Sequence, residues 1–407
     1  MRILLINHYA GSESYGMEFR PFYLAREWAE MGHDVTVLAA TFSHLRKKNP
    51  MVEHDFSEEE IVPGARFCWV KTPSYHSNGP MRMLNMTLFY QKVKYKAKYL
   101  AGKYRPDAVI ASSTYPMDIY LAKRIAEFSG GNFFFEIHDL WPLSPVVLYH
   151  ISEKNPLIQM LQRAEDFAFS QSKKVISVLP HADRHMRERG FDTKKFVCVP
   201  NGVVIENRKV DISHTPQYET IMKLKDEGKF ICMYLGGFAR ANALEDFIAC
   251  AKDLDQDTVL VMIGGGLLKD NFAQEIKTQH LQNVILLDPV EKSQVNAFLQ
   301  LADCLYIGAK RCELYRYGVA MNKLFDYMLS ARPILCGVEA SNDMVGDAGC
   351  GITIEPESPS AIVEGIRLLK EKSPEERDAM GRRGYEYVLR YHDYKKLAQQ
   401  FIDALTK

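Results

Sequence analysis

The chain has 407 residues, 47% of them apolar, which exceeds what one hydrophobic core usually supports and excludes a disordered or fibrous polymer. Two domains of roughly 200 residues each are expected. The 51 basic and 51 acidic residues cancel, which removes any global electrostatic case for a nucleic-acid partner.

The first apolar run, RILLINHY, reads as a buried strand. FRPFYLAREWAEMG then carries apolar residues at helical spacing and stops at Gly32, and HDVTVLAA is a second strand. A β-α-β start implies a parallel sheet. The opening run is too short for a signal peptide, and no stretch reaches the roughly 18 apolar residues of a membrane span, so a cytosolic protein is expected. Strand patterns continue at DAVIASS, NFFFEIH, KVISVLP and FVCVPNG, with helix-length segments such as 116–129 and 157–172 between them. That completes one doubly wound unit. A polar stretch containing proline follows, and a hinge is placed near 201–229. The alternation then restarts: FICMYLGG, TVLVMIGGG, VILLDPV, DCLYIGA, PILCGV and GITIEP, with helices near 242–254, 269–280 and 293–302 and another from about 322. The expected fold is α/β, two Rossmann-like doubly wound domains facing a central cleft, the first over 1–200 and the second over 201–389. Ligands then bind on loops just after strands. The eight cysteines stand singly, without CxxC or metal-ligand spacing, and read as small core residues.

Within the first domain, NHYAGSESYGMEFRPF places Gly11 and Gly16 after the first strand without GxGxxG spacing, which disfavours a nicotinamide or flavin enzyme. From Met81 to Arg105 there are seven Lys or Arg and no acid, interleaved with Leu84, Met86, Leu88, Phe89 and tyrosines. This segment lies on anionic lipid through Lys92, Lys94, Lys96 and Lys98, or it is a solvated helix face. FFFEIHDLWPLSP sets Glu136, His138, Asp139 and Trp141 at a strand end. There His138 touches a sugar hydroxyl, accepts a proton, or simply bonds a backbone carbonyl.

Within the second domain, YLGGFARANALEDF (234–247) follows a strand with Gly236-Gly237, then Arg240 and Asn242 before a helix. A guanidinium there clamps a diphosphate or caps a surface turn. The three glycines of MIGGGLLKD read as a tight turn. LLDPVEKSQV ends in a Pro turn whose backbone suits a nucleobase edge, with Lys292 as a second cation. In LYRYGVAMNKLFDYM (314–328), Met321, Leu324, Phe325 and Met328 share a core-facing stripe. Asn322, Lys323 and Asp326 are left on the exposed side of a helix starting near Ala320. Free N–H groups and a positive dipole there seat a phosphate, Gly318 permits close backbone approach, and Asp326 suits two ribose hydroxyls. The alternative is an ordinary helix start with a solvated face.

Taken in order, SHLRKK, WVKTPSYHSNG, FEIHDLWP, VPNGV, ANALEDF, DPVEKSQV, LYRYGVAMNKLFDYMLSARPI and CGITIEPESPSAI resemble family 4 glycosyltransferases of the GT-B fold over almost the whole chain. Within that family they resemble the bacterial cell-surface polysaccharide branch, which makes O-antigen and capsule. The resemblance implies retaining transfer of a sugar, an N-acetylated or deoxy hexose, from UDP to a polyprenyl-diphosphate-linked glycan at the inner membrane face. No cofactor and no metal are implied. The donor falls to Gly16, Gly237, Asn242, Val290, Gly318, Val319, Asn322, Lys323 and Asp326, catalysis to His138, Arg240 and Lys292, and the acceptor side to Glu18, Arg20 and Asp139. YKKLAQQFIDALTK lies in the helix, about 390–407, that crosses back to the first domain. Two departures stand out. The wider family's Glu-x7-Glu positions hold Gly318 and Asp326, which matches the branch and leaves the first glutamate's contact unassigned. Ala320-Met321 stand where the branch has Ser-Pro, so the phosphate-binding helix lacks its pre-set proline.

The acid pattern is read as offering no DxD triplet anywhere in the chain, and Glu136, Asp139, Asp288 and Asp326 lie on different loops. Arg240 and Lys292 are therefore expected to neutralise leaving UDP, with front-face displacement in which the leaving phosphate helps deprotonate the acceptor. Two rival functions remain: a UDP-sugar 2-epimerase, which needs several carboxylates around the sugar, and a non-catalytic nucleotide-binding scaffold.

Overall fold

The computed structural model describes residues 1–76, 79–205 and 210–407, so parts of the quoted stretch 69–79 and of the expected hinge 201–229 lie outside the described residues. Two compact units emerge: Met1–Val204 with Tyr394–Lys407, and Ile205–Asp393.

In the first unit the strands are β1 (Arg2–Ile6), β2 (Asp34–Ala40), β3 (Phe56–Val62), β4 (Ala65–Val70), β5 (Ala108–Ala111), β6 (Asn132–Ile137), β7 (Val175–Ser177) and β8 (Phe196–Cys198). They form one sheet in the order β3-β4-β2-β1-β5-β6-β7-β8. Leu4, Leu5 and Ile6 are fully buried, because a central parallel strand covered on both faces needs a continuous apolar run. The antiparallel β3–β4 hairpin has no counterpart in the strand pattern read from the sequence. FSEEEIV looks unlike a strand, yet two of its three glutamates are engaged: Glu58 accepts from Tyr104 Oη, and Glu59 accepts from Tyr15 Oη and Trp69 Nε1. An acidic strand is tolerable at a sheet edge, where it also discourages edge-to-edge pairing.

The helix Pro80–Tyr104 buries Asn85, Phe89, Val93, Ala97, Leu100, Ala101 and Tyr104 at three- and four-residue intervals, one stripe against the unit. The helix Tyr394–Thr406 packs on Arg20–Glu30: Trp28 Nε1 donates to the Ala398 carbonyl at 3.1 Å, and the Trp28 and Phe401 rings stand edge to face 5.1 Å apart. Both aromatics are fully buried, each contributing roughly 1.5–3 kcal/mol of burial. Among the described residues no helix is long and apolar enough to cross a membrane.

In the second unit β9 (Phe230–Leu235), β10 (Thr258–Ile263), β11 (Val284–Leu287), β12 (Cys304–Gly308), β13 (Ile334–Gly337) and β14 (Gly351–Thr353) form a parallel sheet in the order β11-β10-β9-β12-β13-β14. These are the six strands read from the sequence. The order reverses between β9 and β12, as it does between β1 and β5 in the first unit. Each reversal opens a crevice at the carboxyl ends of those two strands, and this is where an open α/β sheet binds ligands. Six of the eight cysteines are buried and two half-buried.

Candidate active site

At the reversal of the second unit, the loop after β9 and the helix Asn322–Leu329 meet through one lysine. Lys323 Nζ donates to Asn242 Oδ1 at 2.7 Å and to Tyr234 Oη at 3.0 Å, and lies 5.0 Å from the Tyr234 ring centroid. No carboxylate pairs with it among the described residues, and burial pulls its ammonium down to about 8. This corrects the exposed placement expected from helical spacing: the stripe of Leu324, Phe325 and Met328 is buried, but Lys323 bends inward over Tyr234. Tyr234 comes from the last turn of buried β9, and its hydroxyl also donates to the Gly237 carbonyl at 2.8 Å. Asn242 Nδ2 donates to the same carbonyl at 2.8 Å, fixing the turn that carries exposed Arg240. The Arg240 side chain makes no hydrogen bond or ion pair among the described residues, which leaves its donors open to a ligand.

The helix itself starts at Asn322, at the boundary read from the strand-helix alternation, and its N-cap residue Met321 offers no side-chain cap. Gly318 adopts φ +94°, in the region that favours glycine, and its N–H bonds the Tyr315 carbonyl. Val319 is not free: its N–H donates to Asn342 Oδ1 at 2.8 Å, and Asn342 Nδ2 donates back to its carbonyl at 3.1 Å. Asn322 is exposed and Val290 half-buried. Lys292, on the loop after β11, lies against Asp326 and not with Lys323 or Arg240. Tyr234 and Asn342 went unnoticed in the sequence; a tyrosine at the end of a core strand just before Gly-Gly was the one available signal.

The first unit gathers a second cluster. Arg20 is 2% exposed and donates Nε to Glu136 Oε1 at 2.9 Å, Nη2 to the Val199 carbonyl at 2.8 Å and Nη1 to the Pro200 carbonyl at 2.7 Å. The guanidinium is thus an interior tie between the first helix and the end of β8, with its donors turned into the unit. Glu136, fully buried, also accepts from Ser112 Oγ at 2.5 Å and lies 3.2 Å from His138 Nε2. Burial pushes this carboxyl up, but Arg20, His138 and Ser112 outweigh it and hold it at about 2. Asp139 is exposed, and its Oδ1 takes the Leu140 N–H and the Ser144 hydroxyl. Glu18 is half-buried on the loop after β1. On that loop Gly16 is buried at φ +101°, and a Cβ there would meet the Lys47 backbone nitrogen at 2.9 Å. Gly16 and Glu18 both belong to the first unit.

Of the four lysines proposed for a membrane, Lys92 is tied to Asp55 and the Lys71 carbonyl, while Lys94, Lys96 and Lys98 are exposed, Lys94 near the Tyr90 ring and Lys96 near the rings of Tyr95 and Tyr99. Among the described residues no three His, Cys, Asp or Glu side chains gather as a metal site. Two overlapping DxD triplets do occur in the chain, Asp253-Leu254-Asp255 and Asp255-Gln256-Asp257. They precede β10, at the opposite end of its strand from the candidate loops, and Asp255 is held there by Lys370 and Thr258.

Residues 15–207 match the profile of Glycosyltransferase Family 4, and residues 220–387 that of Glycosyl transferases group 1. No curated protein matches significantly. Solved structures match over nearly the full chain. A sucrose-phosphate synthase from Thermosynechococcus elongatus has TM-score 0.70 at 16% identity, over 98% of this chain and 97% of that one. Anabaena HepE in complex with UDP and glucose has TM-score 0.67 at 13% identity, over 100% of both chains. WaaG, a glycosyltransferase involved in lipopolysaccharide biosynthesis, has TM-score 0.66 at 16% identity, over 99% of both. The fold is that of GT-B enzymes.

Proposed function

The chain belongs to the glycosyltransferases, a family 4 module followed by a group 1 module, and from that premise we propose that it transfers a sugar from UDP to a lipid-linked glycan in surface-polysaccharide synthesis. The observation that carries this reading is Lys323: a half-buried ammonium without a carboxylate, at the strand-order reversal of the second unit and on the first turn of a helix no side chain caps. Such a site is incomplete until an anion arrives, and a diphosphate supplies one. Arg240, on the turn fixed by Asn242, meets the charge that grows on the leaving diphosphate, and Asp326 accepts from the ribose. HepE, of the same fold, is a protein described with UDP and glucose bound.

The acids near the candidate loops are dispersed, which supports neutralisation by protein cations without a metal. Among the described residues no carboxylate is placed as a nucleophile in the second unit's site, so a retaining transfer would proceed by front-face displacement and not through a covalent intermediate, with the leaving phosphate taking the acceptor's proton. On the first unit His138 accepts a hydrogen bond from a substrate hydroxyl. The outward face of the helix Pro80–Tyr104, with Lys94, Tyr95, Lys98 and Tyr99 exposed, suits peripheral contact with anionic lipid.

A thermal-shift panel of UDP, GDP and ADP sugars, run on the wild type and on Lys323→Met, tests the donor assignment. UDP sugars should give a saturable shift that the variant loses. No shift with any UDP sugar, or the same shift in Lys323→Met, would overturn it. UDP binding without UDP release across lipid acceptors would point instead to a scaffold.

A further inference from the structure

At the carboxyl ends of β5 and β6 in the first unit, Ser112, Glu136 and His138 share one hydrogen-bonded junction. Ser112 Oγ lies 2.5 Å from Glu136 Oε2 and 2.9 Å from His138 Nε2, and His138 Nε2 lies 3.2 Å from Glu136 Oε2. Which nitrogen of His138 carries its proton follows from the donors available. Arg20 fills Oε1 of the glutamate and keeps the group ionised, so the carboxylate only accepts. The Ser112 proton goes to the carboxylate, the shorter of its two contacts. What remains at Nε2 is two acceptors, the carboxylate and the serine oxygen, so Nε2 must be the protonated nitrogen. Nδ1 then carries the lone pair, and no hydrogen bond occupies it among the described residues.

We infer that Glu136, held by Arg20 and Ser112, is a positioning residue that fixes His138 as the Nε2–H tautomer, with Nδ1 as the acceptor presented to a substrate hydroxyl. This rests on the reading of His138 as a substrate contact. The chemistry resembles any imidazole whose outer nitrogen is made basic by a carboxylate on the inner one. Other titratable groups packed around the junction do not supply the effect. Burial pushes the Tyr394 hydroxyl, on the returning helix, up to about 12 and the Cys198 thiol up to about 11, so both stay neutral. The Asp139 carboxylate is turned to Leu140 and Ser144.

The substitution Glu136→Gln tests the tautomer directly. Arg20 would still claim the amide oxygen, which turns the amide NH2 toward His138 Nε2 and forces the proton onto Nδ1. Nitrogen-15 NMR of histidine-labelled wild type should show Nε2 protonated at neutral pH, and Glu136→Gln should show Nδ1 protonated. In the variant the kcat for UDP release should fall tenfold or more while UDP affinity is unchanged. Ser112→Ala keeps the carboxylate and should keep the wild-type tautomer. Because Glu136→Gln strands a buried arginine and risks misfolding, His138→Asn and His138→Gln give a second arm. Asn places its amide at the Nδ1 position and should retain several-fold more activity than Gln, which places it at Nε2. A wild-type spectrum showing Nδ1 protonated, or His138→Gln more active than His138→Asn, overturns the inference. These readouts leave the donor assignment untouched, since UDP binding is scored separately; loss of UDP binding in wild type would sink that assignment alone.

Discussion

Lys292 Nζ stands 2.7 and 2.6 Å from the two carboxylate oxygens of Asp326, so the cation expected at a diphosphate and the acid expected at a ribose hold each other. The carboxylate still has lone pairs to offer, and the ammonium, using two of its protons, has one left. A ribose diol can therefore be read by the pair together. The lysine is about half exposed, which discounts the worth of the ion pair to at most about 1 kcal/mol. Asp326→Ala should weaken UDP binding by roughly ten- to a hundredfold, the value of a charge-assisted hydrogen bond. Lys292→Met should weaken it only about threefold. Calorimetry separates the two, and a wild-type affinity in Asp326→Ala would remove this residue from the donor site.

The pH dependence of binding should come from Lys323. Its ammonium is held at about 8 by burial, below the usual lysine value of about 10.4. An adjacent diphosphate favours the charged form and raises that value, so above about pH 8 the free protein must take up a proton to bind. Affinity should therefore fall as pH rises through this range. Calorimetry near pH 8.5 in two buffers of different ionisation enthalpy reads the proton directly, and Lys323→Met should show no uptake. Identical heats for the wild type in both buffers would exclude Lys323 as the linked group.

How far the sequence alone reaches is visible at these two lysines. Period and apolar run length locate β9 to β14 and the buried stripe of Leu324, Phe325 and Met328, because those features follow from burial of whole segments. They do not say where a four-carbon side chain turns. Lys323 bends over Tyr234 and Lys292 reaches Asp326, contacts made across the fold between residues 89 and 34 apart. The strand FSEEEIV was hidden for a similar reason. Glu58 and Glu59 are matched by Tyr15, Trp69 and Tyr104 from other elements, and nothing local announces those partners. Arg20 and Glu136 each stand in a legible motif, but their pairing 116 residues apart does not.

Three of the four lysines proposed to face a membrane remain candidates, and their unequal environments make the idea sharper. Lys94, Lys96 and Lys98 are exposed, whereas Lys92 is engaged with Asp55. Replacing the three by Gln should weaken sedimentation with anionic vesicles by on the order of 1 kcal/mol per lysine at low salt, and Lys92→Gln should change it little. Unaltered sedimentation of the triple variant would return this helix to a solvated face.

Leaving-group stabilisation gives the most demanding prediction, because it commits to where charge is met in the transition state. As the glycosidic bond breaks, negative charge grows on the diphosphate, and a contact that strengthens with it raises kcat more than it tightens ground-state binding. Arg240 is exposed on a turn that Asn242 pins to the Gly237 carbonyl, and its guanidinium is unengaged among the described residues, so the backbone that carries it is fixed and its charge is not neutralised. Lys323 differs: it is already bonded to Asn242 and Tyr234 and should act mainly on binding. Arg240→Ala should therefore lower kcat about a hundredfold, close to 3 kcal/mol, with a much smaller change in UDP affinity. Transfer should also survive EDTA, since the acids of the candidate loops are dispersed and Asp255 of the DxD triplets is bound to Lys370. Loss of activity in EDTA with rescue by Mg²⁺ or Mn²⁺, or an undiminished kcat in Arg240→Ala, would show that the developing charge is met by something other than this arginine.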